Sequence, residues 1–227
     1  MDRAGIGSGI TQNIRGPEDF AAAFNVSRET IERLETYEKL LRQWQKAVNL
    51  VAPGTLDAVW HRHFADSAQL ISLALPGPCH WIDLGSGAGF PGLVIAILLA
   101  NTPSPRDVPT PPAASSARGE GDPYPQVTLV ESDARKAAFL REVVRQTGLS
   151  TGNSAGVAVD VLSARVESVR IKVNLSLPRV ICARALAPLD KLLGLAAPLS
   201  PPGTVALWCK GKSIAQELQA AEKEWNL

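Results

Sequence analysis

The stretch Asp83-Leu84-Gly85-Ser86-Gly87-Ala88-Gly89-Phe90-Pro91-Gly92 decides the fold of this 227-residue chain. A short apolar run, residues 80–84, leads into it, and a longer apolar run, residues 93–100, follows it, as a strand and a helix would. Glycines at alternate positions let the backbone turn sharply and approach a ligand at the carboxyl end of a strand. The stretch therefore predicts a βα unit with a ligand-binding loop. A turn made only of packing glycines is the alternative, which the flanking strand and helix disfavour.

The same alternation of short apolar runs and amphipathic runs continues to the end of the chain. It predicts further strands at residues 127–131, 157–162, 179–183 and 205–209, and helices at residues 134–147, 189–197 and 214–225. Strands that are apolar throughout are typical of a mostly parallel sheet with helices on both faces. The predicted fold class is α/β, a Rossmann-like, doubly wound core over residues 80–227.

Two amphipathic helices are predicted ahead of the sheet. In residues 27–48 apolar side chains recur every three or four positions, and Ser27 is a suitable N-cap. Residues 56–75 carry a second apolar stripe. We expect both helices to cap the sheet, so that residues 27–227 form one domain, and we expect residues 1–26 to be disordered or irregular.

A proline-rich segment separates the first helix of the core from the second strand. Residues 101–126 contain seven prolines and no hydrophobic periodicity, which predicts a disordered surface insertion. Glu131, at the end of the second strand, lies 46 residues after Gly85. Without the insertion this spacing falls to about 20, the usual distance to the acid that binds ribose hydroxyls. Glu131 is therefore the predicted ribose ligand; a solvent-facing glutamate at a strand end is the alternative.

The identity of residue 90 indicates which cofactor the loop binds. A dinucleotide-binding loop would carry its third glycine there, and this chain has Phe90. A cofactor without a pyrophosphate, such as S-adenosylmethionine, suits this loop, with loop N–H groups binding its amino-acid part. A nicotinamide-dependent oxidoreductase is the rival on the same fold, and the chain lacks a clear Tyr–Lys or Cys–His set for hydride transfer.

Composition limits the class of protein without choosing a function. The net charge is +1, hydrophobic residues make up 45% and charged residues 20%. No apolar run approaches the length of a membrane span, and the N-terminus has no signal-peptide pattern. The three cysteines are widely spaced, as in a reducing compartment. We expect a cytoplasmic, monomeric protein without a membrane partner.

Several further segments carry a resemblance to a known family. They are residues 44–50 (WQKAVNL), 62–67 (RHFADS), 83–92, 164–167 (ARVE), 183–185 (ARA) and 210–211 (KG), in that order. Together they resemble the ribosomal small-subunit methyltransferase G family, also called glucose-inhibited division protein B. The resemblance covers about residues 27–225 apart from the insertion.

The resemblance implies a class I methyltransferase fold and N7-methylation of one guanine, position 527, in the 16S rRNA of the small ribosomal subunit. It also implies cofactor contacts at Gly85, Phe90, Val166, Glu167 and Arg184. Together with the loop and strand-end residues, the predicted S-adenosylmethionine site is Gly85, Ser86, Gly87, Gly89, Phe90, Glu131, Val166, Glu167 and Arg184. No catalytic base is assigned, because guanine N7 carries a lone pair at neutral pH. If Arg184 touches the base, it should bond O6 only, since a donor on N7 would occupy the reacting lone pair.

Two departures from the family follow from the sequence. Its members do not usually carry a segment like 101–126. They also continue beyond the last helix into a β-hairpin that completes the sheet, whereas this sequence ends at Leu227. The strand at residues 205–209 is therefore expected to be an apolar edge, a liability for stability.

The sequence gives weaker support for residues that bind rRNA or a metal. The rRNA candidates are Arg135, Lys136, Arg141 and Arg145 on one helix, and Lys210 and Lys212 after the last strand. The alternative is that these cations lie on ordinary solvated surfaces.

His61, His63 and Asp66 resemble a set of metal ligands, but His61 points away from the helical face that the other two share, so no metal is expected. A small-molecule methyltransferase and a non-catalytic ribosome-binding remnant remain alternative functions.

Overall fold

The computed structural model describes residues 13–100, 125–149, 156–169 and 177–225. Its strands are β1 (His80–Leu84), β2 (Gln126–Glu131), β3 (Ala158–Ser163), β4 (Arg179–Arg184) and β5 (Val205–Cys209). All neighbours pair in parallel, in the order β3-β2-β1-β4-β5. The strand order reverses between β1 and β4, where a parallel sheet opens a crevice at its carboxyl edge. The predicted Rossmann-like α/β fold is confirmed, and each strand lies within one residue of its prediction.

Seven helices surround this sheet in the described residues. They are α1 (Pro17–Phe24), α2 (Arg28–Trp44), α3 (Asp66–Ala68), α4 (Gly92–Leu99), α5 (Ala134–Gln146), α6 (Leu189–Ala196) and α7 (Ile214–Ala221). Shorter turns are the 3₁₀ segments Pro53–Thr55, Gln69–Leu73, Val166–Ser168 and Ala197–Leu199, and the π-helical turn Trp60–Ala65. None of the helices in this part of the chain has both the length and the apolar character needed to cross a membrane.

The two faces of the sheet pack against different layers. Trp81 and the first face contact the core that α2, α4 and α5 share, while Ile82 and Leu84 contact the layer of α6. Helix α4 is apolar on all sides and buried over residues 92–97, because it lies between the sheet and α2. This burial holds the amino end of α4, and the glycine loop that leads into it, in a fixed position.

The amino-terminal region differs from its prediction in two places. Residues 17–24, expected to be irregular, form α1, which starts at Pro17 and buries Phe20. Residues 56–75 do not form one α-helix: a π-helical turn, α3 and a 3₁₀ segment follow one another from residue 60 to residue 73. The π-helical turn buries four of its six side chains. An apolar pattern alone does not reveal this change of hydrogen bonding.

Some predictions fall on residues that the structure does not describe. Residues 1–12 and most of the proline-rich segment, residues 101–124, lie outside the described residues. Within the described part of the chain, β5 pairs with β4 alone and forms an edge of the sheet.

Candidate functional site

The glycine loop between β1 and α4 is held by its own backbone. Gly85, Gly87 and Gly89 have positive φ angles of 68°, 57° and 96°, which side chains disfavour. A Cβ atom at Gly85 would lie 2.5 Å from Leu186 Cδ1, and one at Gly89 would overlap Leu93. At Gly87 the nearest atom is the Gly85 carbonyl oxygen, at 3.8 Å. The loop is therefore packed at two glycines and open at the third, which leaves room for a ligand beside Gly87.

Glu131 lies where the sequence places it, next to this loop. The side chain is buried, and its Oε2 accepts the N–H of Gly87 at 2.8 Å while Oε1 accepts the N–H of Asp133 at 2.7 Å. Each carboxylate oxygen can accept a second hydrogen bond. Glu131 thus fixes the open end of the loop and still has lone pairs for the hydroxyls of a ribose.

Two buried polar residues support the loop from below. Ser86 donates its N–H to the Val130 carbonyl at 2.9 Å and its hydroxyl to the Asp83 carbonyl at 3.1 Å. Asp83 Oδ2 accepts the N–H of Gly92 at 3.1 Å. Burial raises the pKa of Asp83 to about 6, against the opposing effect of the Gly92 hydrogen bond. Asp83 was not among the residues predicted from the sequence, although an acid just ahead of the first glycine was a visible signal.

The segment after β3 completes the loop's surroundings. The N–H of Ala164 donates to the Glu131 carbonyl at 3.0 Å, which ties this segment to the end of β2. Val166 and Glu167 follow in the turn Val166–Ser168, with Val166 half-buried and Glu167 exposed. The structure therefore brings both residues to the same edge of the sheet as Glu131.

Phe90 joins the loop to the amino-terminal helices. Its ring is buried and stacks on His63 with a centroid distance of 4.8 Å and on Tyr37 with a centroid distance of 5.4 Å. The Tyr37 hydroxyl donates to the carbonyl of Ala88, inside the loop. Because the Phe90 ring is enclosed by protein, a cofactor at this position would meet the main chain of Phe90. Tyr37 was visible in the sequence only as part of the apolar stripe of α2.

Arg184, at the end of β4, is bonded to the same helical segment. Its guanidinium lies 4.8 Å from the Phe90 ring centroid, donates to His63 Nδ1 at 2.7 Å and donates to the Arg62 carbonyl at 3.1 Å. Arginine only donates, so His63 Nδ1 must accept, and the ring proton is on Nε2. His63 Nε2 then donates to Thr55 Oγ1 at 2.8 Å, whose hydroxyl donates to the Ala52 carbonyl.

This network determines the protonation state of His63. Burial and the neighbouring Arg184 charge lower the pKa of His63 to about 4. The imidazole is therefore neutral at physiological pH, and both of its nitrogens are already bonded. His61 serves elsewhere, accepting the N–H of Ile14 at 3.3 Å. No group of three or more potential metal ligands occurs among the described residues.

A cleft of about 760 Å³ opens at the carboxyl ends of β4 and β5. Leu186, which contacts Gly85, forms part of its wall, so the cleft adjoins the glycine loop. Trp208, on β5, and Asp66, at the start of α3, both line it. The arrangement provides two adjacent spaces, one beside the main chain of Gly87 and one lined by residues of α3, β4 and β5.

The predicted rRNA contacts do not form one cluster. Arg135 and Arg145 lie at opposite ends of α5, about 15 Å apart along the helix axis, and are paired with Asp133 and Glu142. Arg141 donates to the Val161 carbonyl, and Lys136 is half-buried near the start of α5.

The two lysines after β5 differ from each other. Lys210 is only 11% exposed in its side chain and is paired with Glu217 at 2.7 Å, with a second bond to the Ala187 carbonyl. Lys212 is exposed. Lys210 thus holds residues of the cleft wall together through its ion pair and hydrogen bond. Lys212 is the one of the two lysines that solvent or a phosphate can reach.

The comparisons with known proteins agree with this geometry. A family model described as rRNA small subunit methyltransferase G matches residues 30–103 and 122–227, so the break in the match falls within the proline-rich segment. A protein named ribosomal RNA small subunit methyltransferase G from Parvibaculum lavamentivorans is 46% identical over 92% of this chain and 79% of its own length. Proteins of the same name from Rhodospirillum centenum and Paramagnetospirillum magneticum are 46% and 43% identical, over 92% and 93% of this chain and 80% and 86% of their own.

Proposed function

The chain belongs to the rRNA small subunit methyltransferase G family, and we propose that it transfers a methyl group from S-adenosylmethionine to N7 of one guanine in 16S rRNA. One contact supports this function above all: the hydrogen bond from the Gly87 N–H to the Glu131 carboxylate, beside open space. It joins a bend of small residues to the acid that a nucleoside cofactor needs. The adjoining cleft supplies room for a base.

The residues around the loop fit S-adenosylmethionine. Gly87 presents main chain without a side chain on the open side, which suits the amino-acid part of the cofactor. Glu131 retains lone pairs for the ribose hydroxyls, and the half-buried Val166 offers an apolar contact to the adenine. Gly85, Ser86, Gly89 and Phe90 shape this cradle from the loop, and Glu167 and Arg184 border it.

The bound cofactor supplies a methyl group on a positively charged sulfur. Guanine N7 attacks with its own lone pair: the N7–carbon bond forms, the carbon–sulfur bond breaks, and that electron pair stays on sulfur. The positive charge passes to the guanine ring, and no proton moves. The protein therefore needs to align the two groups and exclude water, without a general base.

The bonding of Arg184 is consistent with this chemistry. An N–H donor on N7 would occupy the reacting lone pair. Two guanidinium nitrogens of Arg184 are already committed to His63 and to the Arg62 carbonyl. The Arg184 side chain is thus directed toward the helical segment and positions the loop through Phe90. Any contact with the base is expected at O6.

Positive charge for the rRNA backbone comes from local groups, since the net charge of the chain is only +1. We propose that Arg135 and Lys136, at the amino end of α5 near Glu131, and Lys212, after β5, contact phosphates on either side of the two spaces. Arg141, Arg145 and Lys210 are the remaining candidates. A weak overall charge favours a folded RNA loop or the assembled small subunit over unstructured RNA.

The deciding experiment supplies S-adenosylmethionine with a labelled methyl group to small subunits that lack the modification and maps the labelled nucleotide. We expect one labelled guanine, modified at N7. Glu131→Ala should weaken the binding of the demethylated cofactor in calorimetry by at least tenfold. The control Glu142→Ala, which changes a carboxylate of α5 paired with Arg145, should not. Wild-type protein that binds neither form of the cofactor would exclude the function.

A further inference from the structure

The cleft contains two carboxylates, and the one on Asp66 accepts no hydrogen bond from the described residues. The other cleft carboxylate, Glu217, accepts bonds from Lys210, from the Ser213 hydroxyl and from the Leu189 N–H. In the described part of the chain, by contrast, no donor hydrogen-bonds the Asp66 carboxylate. An exposed acid with no hydrogen bond from the described residues, in a cleft that adjoins the glycine loop, is available to a ligand.

The position of Asp66 suits a base that reacts beside the loop. Asp66 begins α3 and lines the cleft together with Trp208, and Leu186, which also lines the cleft, contacts Gly85. Burial raises the pKa of Asp66 above its ordinary value, and the nearby charge of Arg184 opposes that effect. A base that entered the cleft would meet apolar side chains, an aromatic ring and a carboxylate without an internal hydrogen bond.

Guanine has the donor pattern that such an acceptor requires. Its N7 and O6 accept hydrogen bonds on one edge, and its N1–H and N2–H₂ donate from the Watson–Crick edge. With N7 directed at the methyl donor, the Watson–Crick edge faces away from it. A carboxylate can accept both donors at once. Adenine would instead place the lone pair of its N1 against the carboxylate.

We propose that Asp66 determines the specificity for guanine by accepting hydrogen bonds from N1–H and N2–H₂ of the target base. This inference rests on the proposed function and names the group that recognises its substrate. The Asp66 carboxylate also lies near the ring that becomes positively charged as the methyl group arrives. It therefore stabilises the transition state more than the bound substrate, so its loss lowers kcat as well as binding.

The test measures kcat/KM of wild type and of Asp66→Asn on two substrates. Small subunits are assembled with guanine or inosine at the modified position, because inosine keeps N1–H and lacks the N2 amino group. We expect wild type to lose about 10- to 100-fold in kcat/KM on inosine, the cost of one hydrogen bond to a charged group. Asp66→Asn should lose about as much on guanine and should no longer distinguish the two bases by more than about threefold.

Controls separate recognition from folding. Asp57→Asn, on an acid whose side chain is 99% exposed and lies near Arg42, should retain the wild-type preference. Asp66→Glu keeps a carboxylate and should retain a preference for guanine even with lower activity. Asp66→Asn should bind the demethylated cofactor within about twofold of wild type, because Asp66 is not among the predicted cofactor contacts and has no hydrogen bond to the glycine loop in the described residues.

The failure of this inference differs from that of the proposed function. If Asp66→Asn discriminates between guanine and inosine as wild type does, or if Asp66→Glu loses the preference for guanine, Asp66 does not recognise the target base. Both results can occur in an enzyme that still methylates its guanine. If wild type transfers no methyl group to guanine, the proposed function itself is wrong.

Discussion

The carboxyl edge of the sheet has two halves that are built in opposite ways. At β1 and β2 the site is made of backbone: glycines with positive φ and main-chain N–H groups on the buried carboxylates Asp83 and Glu131. At β4 and β5 it is made of side chains around an open cleft, bordered by Leu73 with 61% of its surface exposed. The first half is suited to one small ligand of fixed shape, and the second to a large substrate that must enter and leave. The two halves should therefore respond differently to mutation.

The largest effect is expected in the backbone half, from the pair Gly89→Ala and Gly87→Ala. Both positions have positive φ, but a Cβ at Gly89 would also overlap Leu93 and lie 2.6 Å from the Tyr37 hydroxyl, whereas Gly87 has open space. We expect Gly89→Ala to lower the free energy of unfolding by about 3 kcal/mol or more, and Gly87→Ala by about 1 kcal/mol. Urea denaturation measures both; equal losses would show that packing does not distinguish the two glycines.

The next effect tests the residue that joins the halves, Arg184. Arg184→Ala removes the bonds to His63 and to the Arg62 carbonyl and leaves His63 Nδ1 without its donor. We expect kcat/KM to fall by about 100-fold or more, with the larger share in cofactor affinity, at about 1.5–3 kcal/mol for each hydrogen bond of a charged group. Calorimetry with the demethylated cofactor, beside single-turnover rates, separates the two parts. Normal cofactor affinity with lost turnover would instead place Arg184 on the base.

A third prediction concerns the pH dependence of the same junction. His63 has a pKa of about 4 in the folded protein, below its ordinary value of 6.5. The unfolded chain then binds more protons between these values, so stability from His63 is full above pH 6.5 and is lost as the pH falls toward 4. We expect the free energy of unfolding to fall by about 3 kcal/mol over this range because of His63, since one pKa unit corresponds to about 1.4 kcal/mol.

His63→Asn is the matched variant for this measurement. The asparagine oxygen can accept from Arg184 as Nδ1 does, but it does not titrate. His80, whose pKa is also lowered to about 4, makes stability fall with falling pH as His63 does. Asp83, whose pKa is raised to about 6, makes stability rise with falling pH, and both residues are present in both proteins. The difference between wild type and His63→Asn in urea denaturation from pH 4 to 7 therefore isolates His63. A constant difference would mean that His63 does not titrate as stated.

The backbone half was the more predictable from sequence. β1 and β2 are buried along nearly their whole length, so their positions were visible in the sequence to within one residue. The position of Glu131 beside the glycine loop followed from the glycine spacing and from a strand-end acid once the proline-rich segment was left out; its hydrogen bond with Gly87 did not. Both signals are local in the chain, or separated by one strand and one helix.

The side-chain half was not predictable in the same way. The bond from Arg184 to His63 joins residues 121 positions apart and depends on the π-helical turn, which no apolar pattern reveals. Asp66 was visible only as an improbable metal ligand, because its role depends on what the fold places across the cleft. Lys210 and Lys212 look alike in sequence, yet only one of them is buried in an ion pair.

These two lysines give the smallest predicted effects and the sharpest contrast. Lys210→Met removes the partner of Glu217 and a bond to the Ala187 carbonyl, so we expect Tm to fall by roughly 3 °C. Lys212→Met should leave Tm unchanged, raise KM for the small subunit about twofold to fivefold, and reduce the slope of log KM against log salt by about one. Lys210→Met should therefore change the melting temperature, and Lys212→Met should change only the salt-dependent kinetics. If Lys212→Met leaves the salt dependence as it was, the phosphate contacts lie on the side of α5, and charge reversal at Arg135 and Lys136 should then produce the effect that Lys212 lacks.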